Sequence, residues 1–164
     1  TEWPGRSIGR RMNPVIACVS LAVLAILVSL PVTAHEGARG IVKQRMNQMS
    51  MMESSLKKIA GIIRSGGNYD RKEIITLARN IAKHSGENMT RLFPESSKTM
   101  RSEAEATIWE KWDIFQSEAS DLLRKAETLT KLASAQAEQA EMMTATRQLA
   151  ASCSSCHRQF RRPE

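Results

Sequence analysis

The sequence predicts an all-α fold, an antiparallel up-down-up-down bundle of four helices. Of the 164 residues only 4% are aromatic, and 8 Gly with 5 Pro are too few for the many turns of a β-sandwich or barrel. The chain is rich instead in Ala, Glu, Lys, Arg, Met, Gln and Leu, which favour helix. After residue 34, four segments have apolar residues at three- and four-residue steps, which indicates amphipathic helices.

Residues 1–34 have the features of a secretory signal that is not part of the fold. Arg10-Arg11 precedes an uncharged apolar run of 16 residues, 15–30, and small residues stand at the −3 and −1 positions of a signal-peptidase site after Ala34. As a helix the run would span roughly 24 Å, less than the roughly 30 Å core of a bilayer. A retained membrane anchor is the alternative. Cleavage would leave residues 35–164 as an exported, periplasmic domain without membrane contact.

The first two predicted helices are separated by a turn at residues 65–70. The first extends from Arg39 to Arg64, and Asp70 is a candidate N-cap for the second. Apolar residues at helical spacing predict one buried face on each helix. These residues are Val42, Met46, Met49, Met52, Leu56, Ile59 and Ile63, then Ile74, Leu77, Ala78, Ile81 and Met89.

A second break, at residues 92–97, precedes the third predicted helix. Ser102 with Glu105 three residues later resembles a capping box that would open this helix. The fourth helix is predicted to start between Ser134 and Gln139, in a stretch without Gly or Pro. The inward residues of both helices are Ile108, Trp109, Trp112, Phe115, Ala119, Leu122, Leu123, Ala126, Leu129, Met142, Met143 and Leu149.

The fourth helix carries Cys153-Ser154-Ser155-Cys156-His157, which predicts one covalently attached haem c per chain. Two thiols at this spacing add to the two haem vinyl groups, and the adjacent imidazole is tethered beside the iron. At this chain's frequencies of Cys and His, the motif would occur by chance about 0.001 times. The alternatives are a disulfide or a redox pair, and half of a zinc site. A thioredoxin-like redox pair would need a βαβ context, and for a zinc site only His35 and His84 remain as further histidines.

The position of this motif near the end of the sequence resembles the class II c-type cytochromes, the cytochrome c prime family. Further matching features are Arg45 followed by Met49, the Leu92-Phe93-Pro94 loop, the aromatic run from Ile108 to Phe115, and Phe160-Arg161 after the motif. The resemblance covers nearly all of residues 35–164. It implies a four-helix bundle with haem on its last helix and His157 as the proximal iron ligand.

The resemblance also implies roles for three other residues. In low-spin members of the family a distal Met ligand stands four positions after the helix-one Arg, where five-coordinate members have a bulky residue that does not bind iron. Met49 has this position. The alternatives are that Met46 or Met52 is the ligand, or that these methionines only pack in the core. Arg45 is expected to contact a haem propionate, or else to be a solvated cation. Arg161 is expected near the haem edge, or else in a basic tail.

The sequence therefore predicts an electron carrier and not an enzyme, since no distal His or acid–base pair accompanies the site. A thioether ligand raises the reduction potential, and six-coordinate iron reorganises little when its charge changes. The alternative function is a five-coordinate protein that binds nitric oxide or carbon monoxide.

The expected partners are periplasmic redox proteins, and the resemblance adds a homodimer as an open alternative. Residues 35–164 lack three of the arginines and one glutamate, so their formal charge is +5 where the whole chain has +7. This excess suits an acidic partner. Interspersed charges and scarce aromatic residues argue against nucleic acid.

Overall fold

The computed structural model describes residues 39–66 and 69–163. These residues include six α-helices, α1 (Gly40–Ser65), α2 (Arg71–Lys83), α3 (Glu87–Thr90), α4 (Thr107–Glu110), α5 (Trp112–Ser134) and α6 (Gln139–Phe160). A short 3-10 turn lies at Glu95–Ser97. The predicted signal at residues 1–34 falls outside the described residues, so its cleavage and the domain boundary stay predictions.

The four long helices, α1, α2, α5 and α6, form the predicted bundle. The main contacts join α1 to α2, α2 to α5, α5 to α6 and α6 back to α1, so the helices form a closed ring. At one end, Gln139 Nε2 at the start of α6 donates to Ile63 O near the end of α1, at 2.7 Å. Arg71 Nη1 at the start of α2 donates to Ala137 O just after α5, at 2.9 Å. Both pairs join a helix start to a helix end, which confirms the up-down-up-down topology.

The apolar faces predicted from helical spacing supply most of the core. Side chains from all four long helices are fully buried, for example Ile59, Ile74, Leu129, Met142 and Leu149, each 0% exposed. Another group of predicted inward residues is only half-buried. It comprises Met46, Met49, Leu56, Leu77, Trp109, Trp112, Leu123 and Met143. No helix in the described part of the chain combines the length and apolar character that crossing a bilayer requires.

The start of α2 and the break between α5 and α6 agree with the sequence prediction. Asp70 Oδ1 accepts the N–H groups of Lys72 and Glu73 at 2.8 and 3.3 Å, so Asp70 caps α2. The break between α5 and α6 falls at residues 135–138, inside the predicted interval. Met89, expected on the second helix, is buried on the separate turn α3 instead, because Gly86 with φ 58° ends the helical path.

The predicted capping box at Ser102 and Glu105 is wrong. Ser102 Oγ accepts the N–H of Ala104 at 3.1 Å, while the N–H of Glu105 donates to Phe160 O at 2.9 Å. Ala104 forms an antiparallel bridge with Arg161. Residues 103–105 are thus paired with residues 160–162, at the end of α6 and just beyond it, and this long-range backbone pairing overrides the local helix signal. The helix begins later, as the single turn α4 and then α5.

Replacing Asp70 with Ala is expected to lower the free energy of unfolding by about 1 kcal/mol, because two N–H groups in the first turn of α2 lose their acceptor. Urea unfolding followed by circular dichroism measures the change. Asp70→Ser keeps a capping oxygen and serves as the matched control, with a stability near that of the native chain. Equal stability of the Ala and Ser variants would contradict the capping role.

Candidate haem-binding site

The attachment motif occupies the last two turns of α6. Cys153, Cys156 and His157 are all partly buried, and both cysteines pack against the core. Their spacing of i, i+3 and i+4 brings the three side chains to one face of the helix. The Cys153 thiol donates to Leu149 O at 3.7 Å. The structure therefore brings together the two thiols and the imidazole that the sequence predicted as one unit.

The protonation of these groups fits haem attachment better than redox chemistry of a dithiol. Burial raises the pKa of Cys153. Burial, with help from Glu118 and the neighbouring thiol, raises the pKa of Cys156 to about 12. Redox-active thiols have lowered pKa values, because the thiolate is the reactive form. Burial, and after it the positive charge of Arg161, lowers the pKa of His157, which favours the neutral imidazole that a metal requires.

Hydrogen bonds between α5 and α6 lie beside the motif. Ser152 Oγ donates to Asp121 Oδ2 at 3.0 Å and accepts from Lys125 Nζ at 2.8 Å, and Lys125 also pairs with Asp121 at 2.7 Å. Ser155 Oγ donates to Glu118 Oε1 at 3.0 Å. We call these contacts the α5–α6 ladder.

The ladder determines which way the cysteines face. Ser152 and Ser155 each precede a cysteine by one residue, which is a rotation of about 100° around the helix axis. The hydroxyl groups therefore point to α5 while Cys153 and Cys156 lie on an adjacent face. A rotation of α6 that moved the cysteines would break the hydrogen bonds of both serines.

Arg45 lies on α1 with its guanidinium buried, since the residue is only 5% exposed. Its Nε donates to Leu92 O at 2.5 Å, and its Nη2 donates to Ser97 Oγ. The guanidinium carbon is 4.2 Å from the centre of the Phe93 ring and 5.9 Å from that of Trp109. The alternative of a solvated surface cation is therefore wrong.

The environment of Arg45 fits a cofactor that carries carboxylates. Its two hydrogen bonds go to a carbonyl and a hydroxyl, which are neutral, and its Nη1 has no partner within the described residues. Burial without a compensating charge lowers the pKa of the guanidinium. A buried cation of this kind costs several kcal/mol unless an anion reaches it. Haem propionates would supply such an anion, with the orphaned Nη1 as the open donor.

Met49 and Met52 stand three residues apart on α1 and differ in their burial. Met52 is buried, and its Sδ accepts from Ser85 Oγ beyond the end of α2 at 4.0 Å. Met49 is half-buried, one turn after Arg45 and one turn before Glu53. The pKa of Glu53 is lowered mainly by Lys57, but His157 and Arg161 also contribute. Because Gln139 at the start of α6 is hydrogen-bonded to Ile63 near the end of α1, the two helices are antiparallel, and the end of α6 lies along the first half of α1, where Met49 stands.

The end of α6 and the chain just after it are held by residues 103–107, a contact that we call the clasp. The N–H of Arg162 donates to Glu103 O at 2.8 Å, and Thr107 Oγ1 donates to Gln159 O at 3.0 Å. Arg161 Nε donates to Glu103 Oε2 at 2.9 Å. Arg161 is thus fixed in an ion pair, which excludes the alternative of a loose basic tail.

Sequence reasoning missed four polar residues around the site, which are Ser97, Glu103, Glu118 and Asp121. Glu118 and Asp121 have a weak signal, since they stand three residues apart next to the apolar face of the third predicted helix. Ser97 has no such signal in the sequence, because its contact with Arg45 joins residues 52 positions apart. Glu103 was assigned to the start of a helix and so was not considered as a partner for the far end of the chain.

Fold and motif together define a helical c-type cytochrome, in which covalent haem is carried by the fourth long helix of a bundle. The family model described as Cytochrome C' matches residues 40–161, which span all six helices. The chain belongs to the cytochrome c′ family. Members of this family carry covalent haem c, and haem c, one per chain, is the cofactor of this chain.

Relatives and solved structures agree with this assignment. Cytochrome c-554 of Cereibacter sphaeroides is 29% identical over 158 residues, which cover 93% of this chain and 100% of the relative. Cytochrome c-556 of Agrobacterium tumefaciens is 31% identical over 122 residues, covering 74% of this chain and 97% of the relative.

Two solved structures show the same fold at low identity. A cytochrome c′ with ligand-controlled dimer dissociation aligns with a TM-score of 0.67 at 19% identity, covering 82% of this chain and all of the other. A nitric oxide complex of a variant cytochrome c prime from Alcaligenes xylosoxidans aligns with a TM-score of 0.66 at 20% identity, covering 75% and 94%.

Asp121 is expected to make the α5–α6 ladder sensitive to acid. The hydrogen bond from Lys125 is the main cause that lowers the pKa of Asp121 below its ordinary value of 3.8. A carboxyl with a lowered folded-state pKa stabilises the fold above its unfolded pKa, and this contribution is lost as the pH falls through the folded pKa. Urea unfolding between about pH 5 and about pH 2.5 should therefore show a shallower loss of stability in Asp121→Asn than in the native chain.

Asp113→Asn is the control for this measurement, because Asp113 is an exposed carboxyl on the same helix. The free energy of unfolding of Asp113→Asn should change with pH in the same way as that of the native chain. The same slope in Asp121→Asn as in Asp113→Asn would contradict the role assigned to the ladder.

Proposed function

We propose that this chain is a periplasmic electron-transfer cytochrome in which His157 is the proximal and Met49 the distal ligand of the haem iron. The observation that carries the proposal is the antiparallel pairing of α1 and α6, in which Gln139 at the start of α6 is hydrogen-bonded to Ile63 near the end of α1. The end of α6 that carries His157 therefore lies along the first half of α1. Met49 stands in this half of α1, which supports its thioether as the distal ligand.

Each residue has a distinct task in this proposal. The haem supplies the one-electron redox centre. Cys153 and Cys156 tether it to α6, and His157 offers a neutral ring nitrogen. Met49 offers a soft thioether that favours the reduced iron. Two ligands held on different helices of one packed bundle stay in place when the iron changes charge, so little reorganisation accompanies electron transfer.

Arg45 is assigned to a haem propionate. Its guanidinium is buried, stacked on Phe93, and has an unpartnered Nη1 within the described residues. Arg pairs with carboxylates through parallel hydrogen bonds, and such a pair is strong in a buried place. The pairing would orient the haem relative to α1 and so bring the iron opposite Met49.

Met49→Ala is expected to convert the iron from low spin to high spin and to abolish the thioether-to-iron charge-transfer band of the oxidised protein. Optical spectra of the oxidised and reduced holoprotein measure both effects. Met46→Ala removes a thioether three residues away on the same helix and is the matched control, with low-spin spectra retained. A high-spin native protein, or one unchanged by Met49→Ala, would refute ligation by Met49.

Arg45→Gln is expected to make the reduction potential vary with pH near neutrality. Without the guanidinium a propionate would lose the charge that keeps its pKa low, so we expect it to titrate near neutrality, where we expect the profile of the native protein to be flat. Potentiometric titrations at several pH values measure this profile. Arg91→Gln, which removes an exposed cation next to Leu92, is the control and should leave it flat.

The second candidate function is a five-coordinate protein that binds nitric oxide or carbon monoxide. It is favoured by one comparison, since a similar structure is a nitric oxide complex. In this case Met49 would only line the pocket beside the iron. Carbon monoxide separates the two functions: rapid binding to the reduced native protein supports the second, whereas slow or absent binding that becomes rapid in Met49→Ala supports the first.

The proposed partners are redox proteins with acidic surfaces and a second copy of this chain. The net positive charge of the sequence favours the first, because opposite charges accelerate encounter. The dimer is suggested by the similar cytochrome c′ whose dimer dissociates under ligand control.

A further inference from the structure

We propose that Glu103 is a positioning residue for the haem, because its ion pair with Arg161 holds that guanidinium beside the proximal ligand and cancels its charge at the iron. The reduction potential is then lower than an unpaired Arg161 would make it. The inference rests on one part of the proposed function, the ligation by His157, and it does not depend on Met49.

The first step of the argument is the position of Arg161. It follows His157 by four residues, and its N–H donates to His157 O at 3.1 Å. Arg161 is the C-cap of α6, so its backbone lies directly beyond the helical turn that carries the proximal ligand. Its positive charge is close enough to act on the imidazole of His157.

The second step is the partner. Glu103 Oε2 accepts from Arg161 Nε at 2.9 Å, and the exposed fraction of the side chain is 36% for Arg161 and 40% for Glu103. Pairs at this exposure are usually weak, because two long side chains must be ordered. Here the clasp orders the backbone of both residues: Arg161 is bridged to Ala104, and Glu103 O accepts the N–H of Arg162.

The third step is the effect on the iron. A positive charge near the haem destabilises the oxidised, more positive state and raises the potential, while a negative charge lowers it. Arg161 and Glu103 influence the imidazole of His157 in opposite directions. Because Arg161 Nε and Glu103 Oε2 are held 2.9 Å apart, their opposite charges act on the iron as a dipole and not as a net charge. The structure thus gives the pair an electrostatic role in addition to its part in closing the clasp.

The test compares midpoint potentials of the holoprotein at low ionic strength, where screening is small. Glu103→Gln is expected to shift the potential upward and Arg161→Gln downward. The double variant is expected to return close to the native value, since both members of the dipole are then neutral. Arg161→Lys keeps the charge and should also stay close to the native value.

Glu105→Gln is the matched control. It removes the same charge two residues away, from a carboxylate that contacts Arg162 at 3.8 Å, and should shift the potential by less than Glu103→Gln. Equal shifts in these two variants would show a general charge effect and would overturn the inference. Shifts of the same sign in Glu103→Gln and Arg161→Gln, or no shift in either, would also overturn the inference. If the ion pair only held the clasp closed, either substitution would loosen the same contact and would change the potential in the same direction.

The same samples keep this inference separate from the proposed ligation by Met49. The optical spectrum of the native protein reports the thioether ligand, whereas the inference is decided by the signs and sizes of the potential shifts. A spectrum without a thioether ligand would refute the distal assignment, and opposite shifts in the two charge variants would still support the pair.

Discussion

The rotation of one helix about its own axis is the constraint on which the site depends. Both thiols and the imidazole come from α6, so a single angle decides whether all three face the haem or none does. The apolar core fixes this angle coarsely, because Met142 and Leu149 are fully buried. The α5–α6 ladder and the clasp then fix it at two further points, beside the cysteines and just beyond His157. Polar contacts are suited to this task, since a hydrogen bond is directional and hydrophobic packing is not.

A buried positive charge organises the opposite wall of the site. The loop at residues 92–97 supplies a carbonyl, a hydroxyl and an aromatic face to Arg45, and the Trp109 Nε1–H donates to Phe93 O at 3.0 Å to complete this wall. Groups of this kind orient a guanidinium without neutralising it. The fold therefore tolerates an uncompensated cation in the polypeptide, and the family's haem c brings two carboxylates that can compensate it. Stability of the chain and binding of its cofactor are coupled through this one side chain.

The sequence was sufficient for what depends on local spacing. Helical periodicity identified the four long helices, Asp70 identified a cap, and Cys153, Cys156 and His157 identified the cofactor, because each signal is contained in a few consecutive residues. The errors and omissions concern contacts between distant segments. Ser102 and Glu105 have the local pattern of a capping box, but backbone pairing with Phe160 and Arg162 is stronger than that signal. Ser97 reaches Arg45 only after two helices have folded back, and no local pattern encodes such a contact.

The order in which the helices are synthesised has a consequence for how this bundle assembles. α1, α2 and α5 are complete before α6 is made, and α6 packs against both α1 and α5. Until then the apolar residues of α1 and α5 that α6 covers lack their partner, and exposed apolar surface invites aggregation in a nascent chain. The helix that covers these residues is also the one that carries the thiols and the imidazole. Closing the ring and assembling the haem-binding face are therefore parts of one late event in folding.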